Sequence, residues 1–297
     1  MRLVSKALAA VFAAVSASVL SAPAFAAEGA PHPWQIWHQA ANSEIMRDIT
    51  WFDHYTLWFI GPIVLFVLAL LIIVMVRFNS RSNPNPSRTS HNTFIEVVWT
   101  IVPILILVAI AIPSFELLDK QLAPEEKPEM TVKATGYQWY WGYEYQDDSA
   151  LSFDSIILRN PDEFASLGKT DSKTYPRLLA VDNELVVPVD TMVRVLVAGA
   201  PGDVIHSFAV PSLGFKVDAI PGRLNETWFK AEREGMYYGQ CSELCGKDHA
   251  FMPIAVRVVS KDLYAQWKTA AEGDLDAANK QLMSAVETAK NVKLASK

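Results

Sequence analysis

The sequence lacks several features that mark common protein functions. Its 297 residues contain only two cysteines and no C-x-x-C-H motif, so the chain has no attachment site for a c-type haem. It has no glycine-rich phosphate-binding loop and no internal repeat. Basic residues are not in excess, since the formal net charge is −6, and nothing resembles the basic footprint of a nucleic-acid-binding protein. An acidic surface instead favours a basic partner.

Two long apolar runs predict membrane-spanning helices. Leu57–Val76 has 20 residues without a charge, enough to cross about 30 Å of hydrocarbon as a helix. A second run, Phe94–Leu118, has only Glu96 near its start and Glu116 near its end as charged residues. Because the first span lies beside it, a membrane helix explains the second run better than a buried core helix does.

The distribution of charge predicts the orientation of these helices. The loop between them has three arginines and no acid, whereas the segment before the first run is mainly acidic. By the positive-inside rule the loop is cytoplasmic and both termini are outside. Residues 1–26 agree, because basic residues precede the apolar run Ala7–Leu20 and small residues suit cleavage after Ala26. This pattern favours a cleaved signal peptide over an uncleaved anchor, and hence an inner-membrane protein with both termini in the periplasm.

The remainder of the chain has the pattern of an all-β domain. Short runs rich in β-branched and aromatic residues are separated by glycine and proline turn signals, which indicates a Greek-key sandwich or barrel. We expect the aromatic stretch Tyr137–Tyr145 to form one strand, with Tyr137, Trp139, Trp141, Tyr143 and Tyr145 on one face and Tyr140 on the other. Arg159–Arg177 reads as a polar surface insertion. The predicted units are a signal peptide (1–26), an N-terminal segment with a two-helix transmembrane hairpin (27–121), the β domain (122–260) and a C-terminal helical tail (261–297).

One short stretch concentrates metal ligands. "GQCSELCGKDHAFMP", Gly239–Pro253, places both cysteines close to His249 and Met252. Outside the cytoplasm a pair of thiols is usually oxidised unless a bound metal holds the thiolates. His206 is the only other histidine after the membrane segments. The available ligands are therefore two thiolates, two imidazoles and one thioether.

Four kinds of site compete for these ligands. A disulfide between Cys241 and Cys245 would close a very small loop and leave the other ligands unused. Zinc accepts two cysteines and two histidines, but it usually has both histidines nearby and would leave Met252 idle. A mononuclear blue-copper site would leave one thiolate over. Two bridging thiolates between two copper ions, with one imidazole on each ion, Met252 as a weak ligand and a backbone carbonyl, use the whole set.

These residues resemble cytochrome c oxidase subunit II. The ligand stretch is similar to the dinuclear copper (CuA) loop of that family, and the similarity extends over nearly the whole mature chain through "HNTFIEVVWTIVP", "ATGYQWYWGYEY" and "DVIHSFAVPSLGFKVDAIPGRLNETWF". The resemblance implies a cupredoxin-like Greek-key β-barrel on a two-helix membrane anchor. It also implies that the chain accepts electrons from cytochrome c and passes them to a haem–copper catalytic subunit, which reduces dioxygen to water and pumps protons.

The resemblance implies roles for single residues. The copper ligands would be His206, Cys241, Cys245, His249, Met252 and the main-chain carbonyl of Glu243. The Glu243 carboxylate would also help to hold a magnesium or manganese ion shared with the catalytic subunit, which carries the haems. Trp139 would be the point at which electrons arrive from cytochrome c, and Glu96 would lie at the mouth of a proton path.

Acidic residues near Trp139 would steer a lysine-rich cytochrome. By motif position these are Glu144, Asp182 and Asp203, although each can also be an ordinary solvated carboxylate. The implied partners are the catalytic subunit I with other oxidase subunits, cytochrome c and the lipid bilayer. A membrane-anchored copper carrier is the alternative function, because it would also use paired thiols and methionine. A quinol-oxidising relative would lack the copper ligands that are present here.

Overall fold

The computed structural model describes residues 29–124, 126–146 and 151–295, so the predicted signal peptide at residues 1–26 lies outside the described residues. Two helices come first: α1, Glu44–Arg77, with 34 residues, and α2, Thr93–Leu122, with 30. Both are long and apolar enough to cross a membrane, with mean hydropathies of 3.2 and 2.7 over their most apolar parts. They are joined by a hydrogen bond of 3.1 Å from the Tyr55 hydroxyl to the Ala109 carbonyl.

The two helices extend beyond the apolar runs at the end that faces the β domain. There Lys120 Nζ of α2 lies 2.9 Å from Asp48 and 3.4 Å from Glu44, both on α1. Ser43 caps α1 by accepting a hydrogen bond from the Met46 N–H, and its own hydroxyl donates to the Leu213 carbonyl of the β domain. The base of the hairpin is thus fixed to the domain that follows it.

The described strands of the β domain are β1 Met130–Tyr137, β2 Tyr140–Tyr145, β3 Ser152–Ser155, β4 Leu185–Pro188, β5 Met192–Gly199, β6 His206–Val210, β7 Phe215–Ala219, β8 Asn225–Lys230, β9 Gly235–Gln240 and β10 Pro253–Val259. They form three sheets, in which consecutive strands pair and strands distant in sequence pair as well. One sheet has the strand order β3-β2-β1-β5-β8, a second has β4-β10-β9, and a third has β6-β7. The pairs β1–β5 and β4–β10 are parallel, and the other pairs are antiparallel. Two apolar helices followed by a barrel-like β-sandwich confirm the predicted fold class.

The aromatic stretch is not one strand, so the predicted common face of Tyr137, Trp139 and Trp141 is wrong. β1 ends at Tyr137 and β2 begins at Tyr140, and the two strands pair antiparallel. Gln138 and Trp139 form the turn of this hairpin, and the Tyr137 and Tyr140 rings stack with centroids 4.7 Å apart. The turn contains no glycine, proline or asparagine, so the sequence does not indicate a turn at this point. It places Trp139 at the end of the sheet instead of within it.

Helices outside the sheets complete the core. The short α3, Pro161–Ser166, lies in the insertion, and α4, Lys261–Ala271, and α5, Leu275–Ala295, follow the last strand. Trp267 of α4 is buried against Tyr145, with ring centroids 5.7 Å apart, and its indole N–H donates to the Asn279 Oδ1 of α5. The predicted helical tail is therefore a pair of helices packed on the β domain.

The predicted surface insertion contains a buried charge cluster. Lys169 is only 2% exposed, and its Nζ lies 2.6 Å from the Glu184 carboxylate, which also accepts from buried Arg257 at 3.3 Å. Arg257 in turn donates to the Tyr175 hydroxyl at 2.9 Å. Burial alone would raise the pKa of Glu184, but the charges of Arg257 and Lys169 outweigh it, and the pKa is lowered. The cluster joins the insertion to β4 and β10.

Replacing Glu184 by Gln should destabilise the fold by about 3–5 kcal/mol, because two buried cations lose their counter-charge. The lowered pKa means that the stabilisation is complete above the ordinary glutamate pKa of about 4.3 and is lost as pH falls through the lower folded-state value. Guanidinium unfolding of the full chain in detergent, followed by tryptophan fluorescence, measures the free energy of unfolding. The difference in this free energy between Glu184→Gln and the unaltered chain should therefore shrink as pH falls. Glu126→Gln, which removes an exposed ion pair with Lys230, is the control and should have little effect. Equal losses in both variants would contradict the prediction.

Candidate metal centre

The β9–β10 hairpin presents most of the predicted metal ligands. Cys241 follows the last residue of β9, and Met252 directly precedes β10, so the loop between these antiparallel strands closes on itself. Its Ser242 N–H donates to the Ser207 carbonyl of β6 at 3.1 Å. This bond seats the loop against the start of β6, where His206 lies. His206 and Cys241 therefore lie close together, although 35 residues separate them in the sequence.

The two thiols lie side by side in the interior. Cys241 and Cys245 are 5% and 2% exposed, and their Sγ atoms are 3.8 Å apart. A disulfide requires about 2.05 Å, and both cysteines are free. Burial raises the pKa of Cys245 to about 12, and the neighbouring Cys241 adds to the rise. A bound cation is the usual agent that stabilises such a buried pair as thiolates.

The other predicted ligands surround the two sulfurs. The Nδ1 atoms of both imidazoles face the thiols, at 3.8 Å from Cys241 for His206 and 3.5 Å from Cys245 for His249. The Met252 Sδ is 3.6 Å from the Cys245 Sγ. The Glu243 carbonyl oxygen is 3.3 Å from the Cys241 Sγ. All six predicted ligand groups therefore converge on one small volume.

The chemistry of this donor set decides which ion it fits. The ligand atoms of His206, Cys241 and Cys245 lie within 4.8 Å of one another, and all three residues are buried. Burial lowers the pKa of His206, which favours the neutral imidazole that binds metals. Sulfur and imidazole donors in this number are soft or borderline and suit copper. A zinc site of two cysteines and two histidines would leave the adjacent thioether unused.

Trp139 lies directly against the ligand loop. Its indole N–H donates to the Cys245 carbonyl at 3.0 Å, and the Gln138 amide donates to the same oxygen at 3.2 Å. The Trp139 ring is half-buried, so it connects the surface with the loop. Neither the Gln138 contact nor that of Lys247, whose Nζ lies 5.4 Å from the Trp139 ring centroid, was predictable from a sequence motif.

The three predicted docking acids have partners within the chain. Glu144 forms an ion pair of 2.7 Å with Lys133. Asp182 accepts hydrogen bonds from two backbone N–H groups at 2.7 Å, while its burial raises the pKa of the carboxyl. Asp203 accepts from the Gln138 N–H at 3.0 Å, so this acid is adjacent to Trp139. Of the three acids, only Asp203 is bonded to the β1–β2 turn that carries Trp139.

Two predicted carboxylates, those of Glu96 and Glu243, are not among the groups that converge on the thiols. Glu96 is in the first turn of α2, at the far end of the hairpin, and its carboxylate accepts a hydrogen bond of 3.2 Å from the Asn92 N–H. The Glu243 side chain is exposed at the tip of the ligand loop, next to Leu244, which is 78% exposed. These positions are far apart, so Glu96 has no direct contact with the metal centre.

Comparisons with known proteins identify the family. Residues 130–259 match "Cytochrome C oxidase subunit II, periplasmic domain", and residues 31–117 match "Cytochrome C oxidase subunit II, transmembrane domain". The probable cytochrome c oxidase subunit 2 of Rickettsia felis is 49% identical over 261 residues, which cover 86% of this chain and 78% of that protein. This chain belongs to the cytochrome c oxidase subunit II family. It is a two-pass membrane subunit of the haem–copper oxidase complex, as the sequence predicts.

The chain is also similar to a second bacterial relative and to a solved structure. The probable subunit 2 of Rickettsia prowazekii is 50% identical over 245 residues, covering 82% of this chain and 74% of that protein. Among solved structures, the periplasmic domain of cytochrome oxidase subunit II from Bradyrhizobium japonicum is 55% identical, covers 50% of this chain and 98% of that one, and has a TM-score of 0.44.

The fit between β1 and the first ligand can be tested at Gly136. A Cβ at this position would come within 2.9 Å of the His206 ring, so Gly136→Ala must displace the imidazole. We expect copper affinity to fall by about tenfold or more, as when the supporting contacts of a metal ligand are changed. Titration of the full chain with copper against a competing chelator measures this. Gly273→Ala is the control, since its Cβ would meet nothing closer than 3.6 Å. Equal affinity in both variants, with unchanged circular dichroism, would refute the prediction.

Proposed function

We propose that this chain binds a dinuclear copper (CuA) centre, receives electrons from cytochrome c and passes them to the haem–copper catalytic subunit for reduction of dioxygen coupled to proton pumping. The observation that carries the proposal is the convergence of all six predicted ligand groups on the pair of free thiols. The family to which the chain belongs supports the same function.

The predicted ligands would have different roles in holding the metal. Cys241, Cys245, His206 and His249 would be the principal residues that hold the two ions. Met252 and the Glu243 carbonyl would be the weaker ligands. A bound pair of copper ions would supply a one-electron carrier whose charge is shared between the two metals.

The surrounding barrel keeps this ligand set rigid and dry. Met252 is 1% exposed, and the indole N–H of buried Trp141 donates to its carbonyl at 3.3 Å. Cys245 is fixed through its carbonyl, which accepts from both residues of the β1–β2 turn. A packed interior cannot adjust its ligand positions without strain, so the geometry changes little when the charge of the site changes. Small rearrangement favours rapid electron transfer.

Trp139 is the proposed point at which electrons arrive. Its half-buried ring lies at the surface, and its N–H is bonded to the carbonyl of a copper ligand, so a donor that contacts the ring is connected to the site through one hydrogen bond. Asp203, beside Gln138, is the docking acid nearest to this ring. Glu144 and Asp182 lie further out and would contribute to the acidic field that attracts a basic cytochrome c.

The exposed tip of the ligand loop is the proposed contact with the catalytic subunit. Leu244 is a large apolar side chain that the chain leaves in solvent, and it suits burial against a partner. The Glu243 carboxylate beside it would bind the shared magnesium or manganese ion, for which a hard oxygen ligand is appropriate. The haems belong to that partner.

The β domain and both termini would lie in the periplasm of a cell with an inner membrane, and Glu96 at the opposite membrane face would lie at the mouth of a proton path.

Copper stoichiometry tests the proposed centre. The full chain, purified in detergent and loaded with copper, should hold two copper ions with a mixed-valence electron paramagnetic resonance signal shared by both nuclei. Cys245→Ser removes one bridge and should abolish the shared signal. Ser242→Ala, in the same loop with an exposed side chain, is the control and should retain it. A single labile Cu(I) in the unaltered chain would instead indicate a copper carrier, and an ion that is only zinc would refute the proposal.

Electron arrival is tested at Trp139. Trp139→Phe keeps an aromatic ring but removes the N–H that reaches the Cys245 carbonyl. We expect the rate of copper reduction by cytochrome c to fall by about tenfold, since small losses of positioning have effects of this size or larger. Stopped-flow spectroscopy of the intact oxidase measures the rate. Trp228→Phe is the matched control, because Trp228 also donates to a backbone carbonyl, that of Gln121, at 3.1 Å. Equal rates in all three proteins would place electron arrival elsewhere.

A further inference from the structure

Lys247 occupies the surface of the metal centre without serving any role described so far. It lies in the ligand loop between Cys245 and His249, and its side chain is exposed. Its Nζ is 5.4 Å from the centroid of the Trp139 ring, within the range of a cation–π contact. The residue through which electrons are proposed to arrive therefore has a positive charge directly over it.

The loop backbone fixes this arrangement. A Cβ at Gly246 would lie 3.0 Å from the edge of the Trp139 ring, so the backbone that precedes Lys247 passes directly along the indole. The hydrogen bond from Trp139 to the Cys245 carbonyl adds a second attachment. The backbone that carries Lys247 is thus held beside the ring, and a docking protein that approaches the ring from this side meets the ammonium group.

The charge of Lys247 has no counter-charge in an ion pair within the part of the chain that the structure describes. Among the described residues Lys247 forms no ion pair, whereas the nearby Asp248 carboxylate lies 3.4 Å from Arg159. Asp203 directs both of its oxygens to backbone N–H groups, of Gln138 and Val204. The surface around Trp139 is therefore mixed in charge, with a free cation at its centre and carboxylates around it.

We propose that Lys247 is a specificity-determining residue for the electron donor. A suitable donor places a carboxylate or an uncharged apolar surface opposite Lys247, with its basic residues further out, where they meet the acidic field. A donor with a lysine opposite Lys247 is disfavoured at contact distance. The inference rests on the proposed function, because it requires that donors dock at Trp139.

The size of the effect follows from Coulomb interaction in water. Two like charges about 4 Å apart at the surface change binding by roughly fivefold at low ionic strength. Salt of about 1 M reduces the screening length to about 3 Å and removes most of this effect. A charge at the contact therefore changes association with basic and acidic donors in opposite directions, and only at low salt.

The test compares Lys247→Gln and Lys247→Glu in the intact oxidase with matched changes at Lys173, an exposed lysine of the insertion. Two probes are used: a basic cytochrome c with lysines around its haem edge, and an acidic c-type cytochrome with carboxylates there. Stopped-flow reduction of the copper centre gives the rate, and binding of the zinc-porphyrin form of each cytochrome gives an affinity that does not depend on electron transfer. Lys247→Gln should raise both quantities about two- to fivefold for the basic probe and lower them similarly for the acidic one. Lys247→Glu should change the rate and the affinity in the same directions for each probe, and by a larger factor.

The controls separate a contact effect from other causes. Lys247→Arg keeps the charge and should match the unaltered oxidase in its preference between the two probes. If the Lys173 variants equal the Lys247 variants, only net charge matters and the inference is overturned. A shift of the copper spectrum shared by Lys247→Arg and Lys247→Gln, without a change of donor preference, would assign Lys247 a structural role and also overturn it.

Trp139→Phe distinguishes failure of this inference from failure of the proposed function. If Trp139→Phe slows both donors and the Lys247 variants do not alter donor preference, the inference alone fails. If Trp139→Phe leaves both rates unchanged, donors do not deliver electrons at Trp139, and the proposed arrival point fails together with the inference.

Discussion

The pair of buried sulfur atoms is the constraint on which the rest of the molecule depends. Cys241 and Cys245 hold their sulfurs 3.8 Å apart, too far for a disulfide and too deep for water to solvate thiolates. The barrel can keep them there because the loop is closed by β9 and β10 and is bonded to β6 through Ser242. The imidazoles, thioether and carbonyl that face the sulfurs are the groups that a soft cation needs. The arrangement therefore has the donor groups of the metal site that we propose.

The same loop also connects the metal centre with the surface. The Cys245 carbonyl accepts hydrogen bonds from both residues of the β1–β2 turn, so the hairpin that carries Trp139 and the loop that carries the ligands move together. A displacement of either would change both the ligand geometry and the position of the indole. Rigid attachment of this kind lets a single packed core serve two purposes, since it limits rearrangement at the metal and also presents a fixed surface to a donor.

Coordination chemistry explains why the ligands were predictable and the surface was not. Few residue types bind copper, and His206 is the only histidine outside the ligand loop after the second apolar run, so it could be assigned to the loop although 35 residues separate it from Cys241. The membrane-spanning helices were also predictable, because the thickness of the bilayer determines how long an apolar run must be to cross it. The turn at Gln138 and Trp139 contains none of the residue types that usually mark a turn, so the sequence pattern predicts a strand there. The contacts of Lys169 with Glu184 and of Lys247 with Trp139 depend on which loops meet in space, which composition and periodicity do not encode.

Charge has two separate uses in this chain, and burial distinguishes them. Lys169, Glu184 and Arg257 are buried and paired with one another, so these charges fix the insertion to the β domain. Asp203 and Lys247 lie at the surface around one indole ring, where water weakens each charge but a docking protein excludes that water. Long-range attraction depends on the sum of such charges, whereas the final contact depends on which sign lies over the ring. The acidic total and the central lysine are therefore compatible: the first brings a basic protein near, and the second determines how that protein must be oriented to deliver an electron.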